Sequence, residues 1–89
     1  QEISENRLTV YLATFYSHFG AIRFKKRCES RSFPARLMPV PRSLSSSCGI
    51  CVRFETDEAI PAEFITEDVE RIVEPNEAGY QEHYRAEFS

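Results

Sequence analysis

The apolar residues of this chain change their spacing several times, and each change marks an element. From Leu8 to Phe15 they alternate, with Leu8, Val10 and Leu12 on one side and Thr9, Tyr11 and Ala13 on the other. A run rich in Leu, Val, Thr and Tyr, free of Gly and Pro, predicts a strand, and its aliphatic side is assigned to the core. Ser17 then stands where a helix N-cap is expected, and the period becomes helical over His18 to Ser30. On a helical wheel Ala21, Ile22, Phe24 and Cys28 form an apolar arc of about 160°, opposite Arg23, Lys26, Arg27 and Ser30. Cys28 thereby falls on the buried side, where a free thiol packs as a small hydrophobe.

Pro34 closes this unit, and Ala35 to Met38 reads as a short second strand stopped by Pro39. Gly49 to Glu55 reads as a third, with Ile50, Val52 and Phe54 on one face and Cys51 and Arg53 on the other. The connection between them is short enough for an antiparallel hairpin. Further on, Thr66 is placed to cap a second helix, Glu67 and Asp68 suit its positive end, and Val69, Ile72 and Val73 supply an apolar stripe. Glu74-Pro75-Asn76 would stop it, and its start falls either near Pro61 or at Thr66. Aromatic and polar residues alternate again after Tyr80, predicting a last strand over Glu82 to Glu87. The order β-α-β-β-α-β predicts an α+β, ferredoxin-like domain: a four-stranded antiparallel sheet with two helices on one face. The opposite face would carry Tyr11 and Arg53 and offers a surface for a homodimer.

With 89 residues, the chain makes one small domain with a modest core, spanning 1–89, and residues 1–7 are expected to be a flexible N-terminal segment. The net charge of −3 argues against a nucleic-acid or anionic-membrane partner, both of which favour a basic surface. No apolar run approaches the roughly 20 residues that span a bilayer, and Gln1 to Asn6 lacks a signal-peptide pattern. Three cysteines form no disulfide framework, which points to a reducing, cytoplasmic compartment. His18 and His83 have no ligand spacing, so no metal site is expected, no cofactor is implied, and each histidine reads as an ordinary surface or boundary residue.

The chemistry concentrates in Pro39 to Gly49, where two prolines and four serines mark a loop. Cys48 is its candidate functional group. Arg42 offers a permanent positive charge, Ser45, Ser46 and Ser47 offer hydroxyls and backbone N–H groups for an anion, and Gly49 allows close approach. These would hold a thiolate, persulfide or selenide on Cys48. The plainer alternative is that Cys48 faces the core, since it shares parity with Ile50 and Val52. Cys48 and Cys51 also form a C-x-x-C, but in a strand their Cα atoms lie about 10 Å apart on opposite faces. A disulfide needs roughly 7 Å.

Three segments, Arg36-Leu37-Met38-Pro39-Val40-Pro41-Arg42, Ser45-Ser46-Ser47-Cys48-Gly49 and Val52-Arg53-Phe54, resemble in order and spacing the selenium/sulfur (Se/S) carrier protein-like domains, long classed as of unknown function. The resemblance covers about Leu8 to Phe54, with a looser fit beyond. Cys51 stands where that family has an aliphatic or small residue, and Thr56 to Ile65 is longer than its pattern. The resemblance implies a small α/β domain that carries sulfur or selenium on the cysteine matching Cys48, with Arg42, Ser46, Ser47 and Gly49 as neighbours. Its partners would be sulfur- or selenium-donating and accepting proteins. Beside this non-enzymatic carrier stand two alternatives: a small interaction or regulatory domain dimerising through its open face, and a dithiol redox protein using the C-x-x-C.

Overall fold

A computed structural model describes residues 8–87; the expected flexible segment 1–7 lies outside the described residues. The elements are β1 (Thr9–Phe15), α1 (His18–Ser30), β2 (Ala35–Pro39), β3 (Ile50–Thr56), a 3₁₀ turn (Ala62–Phe64), β4 (Val69–Asn76) and β5 (Gly79–Arg85). All strand pairings are antiparallel, in the order β2-β3-β1-β4-β5. The ferredoxin-like expectation is therefore corrected: the sheet has five strands, and one α-helix packs against it where two were expected.

The first half follows the sequence pattern closely. Ser17 is extended (φ −149°, ψ 160°) and its Oγ accepts the Gly20 N–H at 3.2 Å, so α1 begins where the cap predicts. Gly20, Ala21, Phe24 and Cys28 are its buried residues, whereas Ile22 is 41% exposed and leaves the expected arc. An alanine at Gly20 would place its Cβ 2.8 Å from the Asp68 Cβ, so glycine allows the helix to close on the segment before β4. Arg23 then clamps the Asp68 carboxylate with two bonds, 3.0 and 2.9 Å long. β2 and β3 form the expected hairpin, with Leu37 opposite Val52 and Met38 opposite Cys51.

The second half departs from it. Val69, Ile72 and Val73 have helical spacing, yet they lie in a strand that pairs with β1. Phe15 is opposite Val69, and Thr14 is opposite Arg71, so Glu70 is an extra residue in a β-bulge. The bulge shifts the side-chain phase by one. Val69 and Ile72 both reach the helix side, and Val73 turns to the other. An i, i+3, i+4 pattern thus arises from a strand buried on two faces, and its β-branched residues favour that state. Pro75 does not stop a helix; it lies past the end of the β1 ladder, opposite Tyr80 in the β4–β5 hairpin. Asn76 Oδ1 accepts the Ala78 N–H at 2.8 Å in the turn, and Gly79 (φ +132°) completes it.

Tyr11 to Phe15 are all buried, because both faces of β1 are covered. On the helix side, Tyr11, Ala13 and Phe15 join Phe24, Phe54, Phe64, Val69 and Ile72. The Phe24 ring lies 5.2 Å from Phe15, 5.2 Å from Phe54 and 5.4 Å from Phe64. On the far side, Leu12 meets Cys51, Val73 and Leu44, the last from the loop between β2 and β3. The assignment of Leu8, Val10 and Leu12 to the main core is thereby reversed. Tyr11 stacks on Phe54 at 5.3 Å on the helix side, opposite to Arg53, so the two do not share an open face.

Candidate functional site

The loop from Val40 to Gly49 is closed at its base by the Val40 N–H donating to the Gly49 carbonyl at 3.1 Å. Its Leu44 is buried against the far face of the sheet. Its serines fasten it to the strands. Ser43 Oγ and the Tyr80 hydroxyl are 2.9 Å apart, and Ser46 Oγ is 3.5 Å from the Phe15 carbonyl. Ser47 donates its N–H (3.2 Å) and its hydroxyl (2.8 Å) to the two carboxylate oxygens of Glu70, the bulge residue. The bulge thus aims a carboxylate at the loop.

Cys48 leaves this anchored segment half-buried. Its N–H donates to Ser46 Oγ at 3.4 Å, and its Sγ donates to the Ile50 carbonyl at 3.4 Å. Gly49 follows with φ +78°, the left-handed region that favours glycine, and open space lies where a Cβ would be. Cys48 and Gly49 line an open cleft of about 480 Å³ with His18, Leu37, Met38, Pro39 and Ile50. A second cleft, of about 400 Å³, is lined by Tyr16, Ser45, Ser47, Glu70, Arg71, Arg85 and Ala86. Ser45 and Ser47 therefore look into a different hollow from Cys48. Arg42 is exposed on the preceding turn and lines neither.

The group that meets Cys48 is one that local reasoning passed over. His18 Nε2 lies 3.1 Å from the Cys48 carbonyl, across 30 residues of chain. It is the first residue of α1 after the Ser17 cap, and no local pattern announces a partner so far away.

The other two thiols are buried. Burial pushes Cys28 up to about 12 and Cys51 to about 11, far from thiolate at neutral pH. Cys51 belongs to the far-side cluster, whereas Cys48 packs against the helix-side core, so the C-x-x-C places its sulfurs on opposite faces. All three cysteines are free. Among the described residues, no group of three or more His, Cys, Asp or Glu is arranged to hold a metal ion, and no helix is long and apolar enough to cross a membrane.

Fold and site together define a small antiparallel-sheet domain that presents one cysteine from a serine-anchored loop. The family model described as "Putative Se/S carrier protein-like" matches residues 10–85, and the chain belongs to that family. Neither the comparison with curated proteins nor that with solved structures finds a match.

Proposed function

We propose that this protein carries sulfur or selenium as a persulfide or selenide equivalent on Cys48, receiving it from one partner protein and passing it to another. The supporting observation is the contrast among the three thiols: Cys48 alone opens into a cleft, while Cys28 and Cys51 are fully buried. Loading is an exchange without net oxidation. The Cys48 thiolate attacks the terminal sulfur of a donor persulfide, a new S–S bond forms, the donor's S–S bond breaks, and its electron pair leaves on the donor thiolate. Unloading repeats the step with an acceptor nucleophile. Selenium follows the same bookkeeping when the donor carries it as the terminal atom of an S–SeH group: the Cys48 thiolate attacks that selenium, the donor's S–Se bond breaks, and the electron pair leaves on the donor thiolate. Gly49 keeps the approach open, and Ser46 and Ser47 hold the loop, while Arg42 and Ser45 lie outside the Cys48 cleft. The test is incubation with a small-molecule persulfide donor followed by intact-mass and peptide mapping. One added sulfur at Cys48, lost in Cys48→Ser, is the expected result; modification at no cysteine, or equally at all three after unfolding, refutes it.

A second reading, an interaction domain, draws on exposed Phe19 (72%) and Ile22 (41%) on α1 and Leu37 (36%) on β2. Sedimentation measures it: a self-associating domain would dimerise at micromolar concentration and lose this with Phe19→Ser.

A further inference from the structure

We propose that the free edge of β2 pairs with β2 of a second copy of this chain, antiparallel and centred on Leu37, so that two sheets join into one. The inference goes beyond the carrier reading and does not depend on it.

β2 is a terminal strand of the sheet, with β3 on its inner side. Two bonds that flank this ladder give its phase. The Glu55 N–H donates to the Pro34 carbonyl at 3.0 Å, and the Val40 N–H to the Gly49 carbonyl at 3.1 Å. Pro34, Arg36, Met38 and Val40 therefore turn their backbone groups toward β3, in the register that sets Arg36 opposite Arg53 and Met38 opposite Cys51. Ala35, Leu37 and Pro39 turn theirs outward, and among the described residues no strand receives them. The Pro39 carbonyl takes a long contact, 3.9 Å, from the Cys51 thiol and keeps a second lone pair. The other edge, β5, is different. Its Glu82, His83 and Arg85 are held in ion pairs with one another and with β4, a charged edge of the kind that resists a further strand.

The residues of β2 select the register of the pairing. With Leu37 opposite Leu37 of the second copy, each Leu37 N–H donates to the other's carbonyl, and each Ala35 N–H donates to the other's Pro39 carbonyl. The N–H that proline lacks then falls opposite the Ala35 carbonyl at the outer end of the pairing. The symmetric register one step toward Ala35 would set Arg36 against Arg36, like charges directly opposite. The one toward Pro39 would pair Leu37 with Pro39 and lose its donors. In the Leu37 register Arg36 meets Met38 of the second copy on the far side of the sheet, where its aliphatic stem can lie along the thioether. Leu37, 36% exposed, covers its counterpart on the same side as Ala35, the helix side. Leu37, Met38 and Pro39 also wall the Cys48 cleft, so the pairing sets the second copy along one side of it. The two Cys48 residues are then roughly 25 Å apart along the strands, too far for a disulfide.

Charge exchange at Leu37 tests the pairing. Association is read by sedimentation velocity in reductant from about 10 µM to about 1 mM, the range of a small interface. Wild type should pass from monomer to dimer across it. Leu37→Lys and Leu37→Glu should each associate about tenfold more weakly alone, because like charges stand opposite, and their equal mixture should recover a dimer. The Leu37 side chain is exposed and β3 does not use its backbone groups, so both variants keep the fold, certified by unchanged circular dichroism and protected Cys28. Cys48→Ser should dimerise like wild type. A wild type that stays monomeric at about 1 mM overturns the proposal. So does a mixture that associates no better than either variant alone, since Leu37 then does not face Leu37. A dimer lost in Phe19→Ser but kept in both Leu37 variants moves the interface to α1 and overturns it. A dimer that reductant dissolves is a disulfide and overturns it as well. Persulfide loading at Cys48 is a separate mass measurement, so the carrier reading stands or falls apart from these outcomes.

Discussion

The two faces of the sheet are covered by different means. The helix side is an interlocked set of rings from β1, α1, β3 and the 3₁₀ turn, with Phe15, Phe54 and Phe64 entirely enclosed. The far side is a small cluster, Leu12, Cys51 and Val73, roofed by a loop with one plug, Leu44. Helix-side packing is redundant: Phe24 touches three other rings. Far-side packing is lean, and it leaves the Thr14 hydroxyl as the one buried side-chain polar atom without a partner among the described residues. The loop that roofs the lean face with Leu44 ends in Cys48, which packs on the helix side, so one loop closes one face and places its cysteine on the other.

The comparison is broken most severely at the ring cluster. Phe24→Ala should cost about 3–5 kcal/mol, a large share of the stability of so small a domain, read by chemical denaturation. A cost under about 1 kcal/mol would mean that the rings do not carry the fold. Leu44→Ala comes next, at about 2–3 kcal/mol, and it alone should speed alkylation of Cys51 while Cys28 stays protected. Unchanged Cys51 protection would show that the loop is not the roof.

The buried thiols sharpen the contrast along the pH axis. Both are raised from an ordinary 9.0, so the unfolded chain releases these protons first. Their contribution is fully present below about pH 9 and is lost as pH rises toward about 11 for Cys51 and about 12 for Cys28. Denaturation midpoints should therefore fall above pH 9, and Cys28→Ala should flatten that fall more than Cys51→Ala. A smaller effect is expected from Thr14→Val, which removes the unpartnered hydroxyl at nearly constant volume and should stabilise by up to about 1 kcal/mol. Destabilisation instead would reveal a partner for that oxygen. The smallest effect lies on the acid side. Asp68 is depressed by its bond to Arg23, so its contribution is present above the ordinary carboxylate range and fades as pH falls below it. Asp68→Asn should remove part of that acid slope, and only a part, because Arg23 is 57% exposed and the pair is screened.

Several elements were legible in the sequence because their causes are local. Ser17 caps the next turn, the His18 to Ser30 period shows the buried line of α1, and Pro34 and Pro39 bracket β2. The parity of Ile50 to Phe54 assigned each side chain of β3 to its correct face, and with it the separation of Cys48 from Cys51. Spacing, proline and capping act within a few residues, so one sequence suffices to read them. The loop, its cysteine and the family pattern belong to this class.

What only the tertiary structure decided depends on partners far along the chain. Val69, Ile72 and Val73 fit a helix as well as a bulged strand, and pairing with β1 selected the strand. Alternation assigned the Leu8, Val10 and Leu12 face of β1 to the core, but the main core took Tyr11, Ala13 and Phe15, and Leu12 was buried instead under the Leu44 roof. Ser47 found Glu70, and His18 found Cys48, only because a bulge and a helix start were brought beside one loop. Periodicity records which residues prefer burial; which surfaces bury them is set by chain closure over long separations.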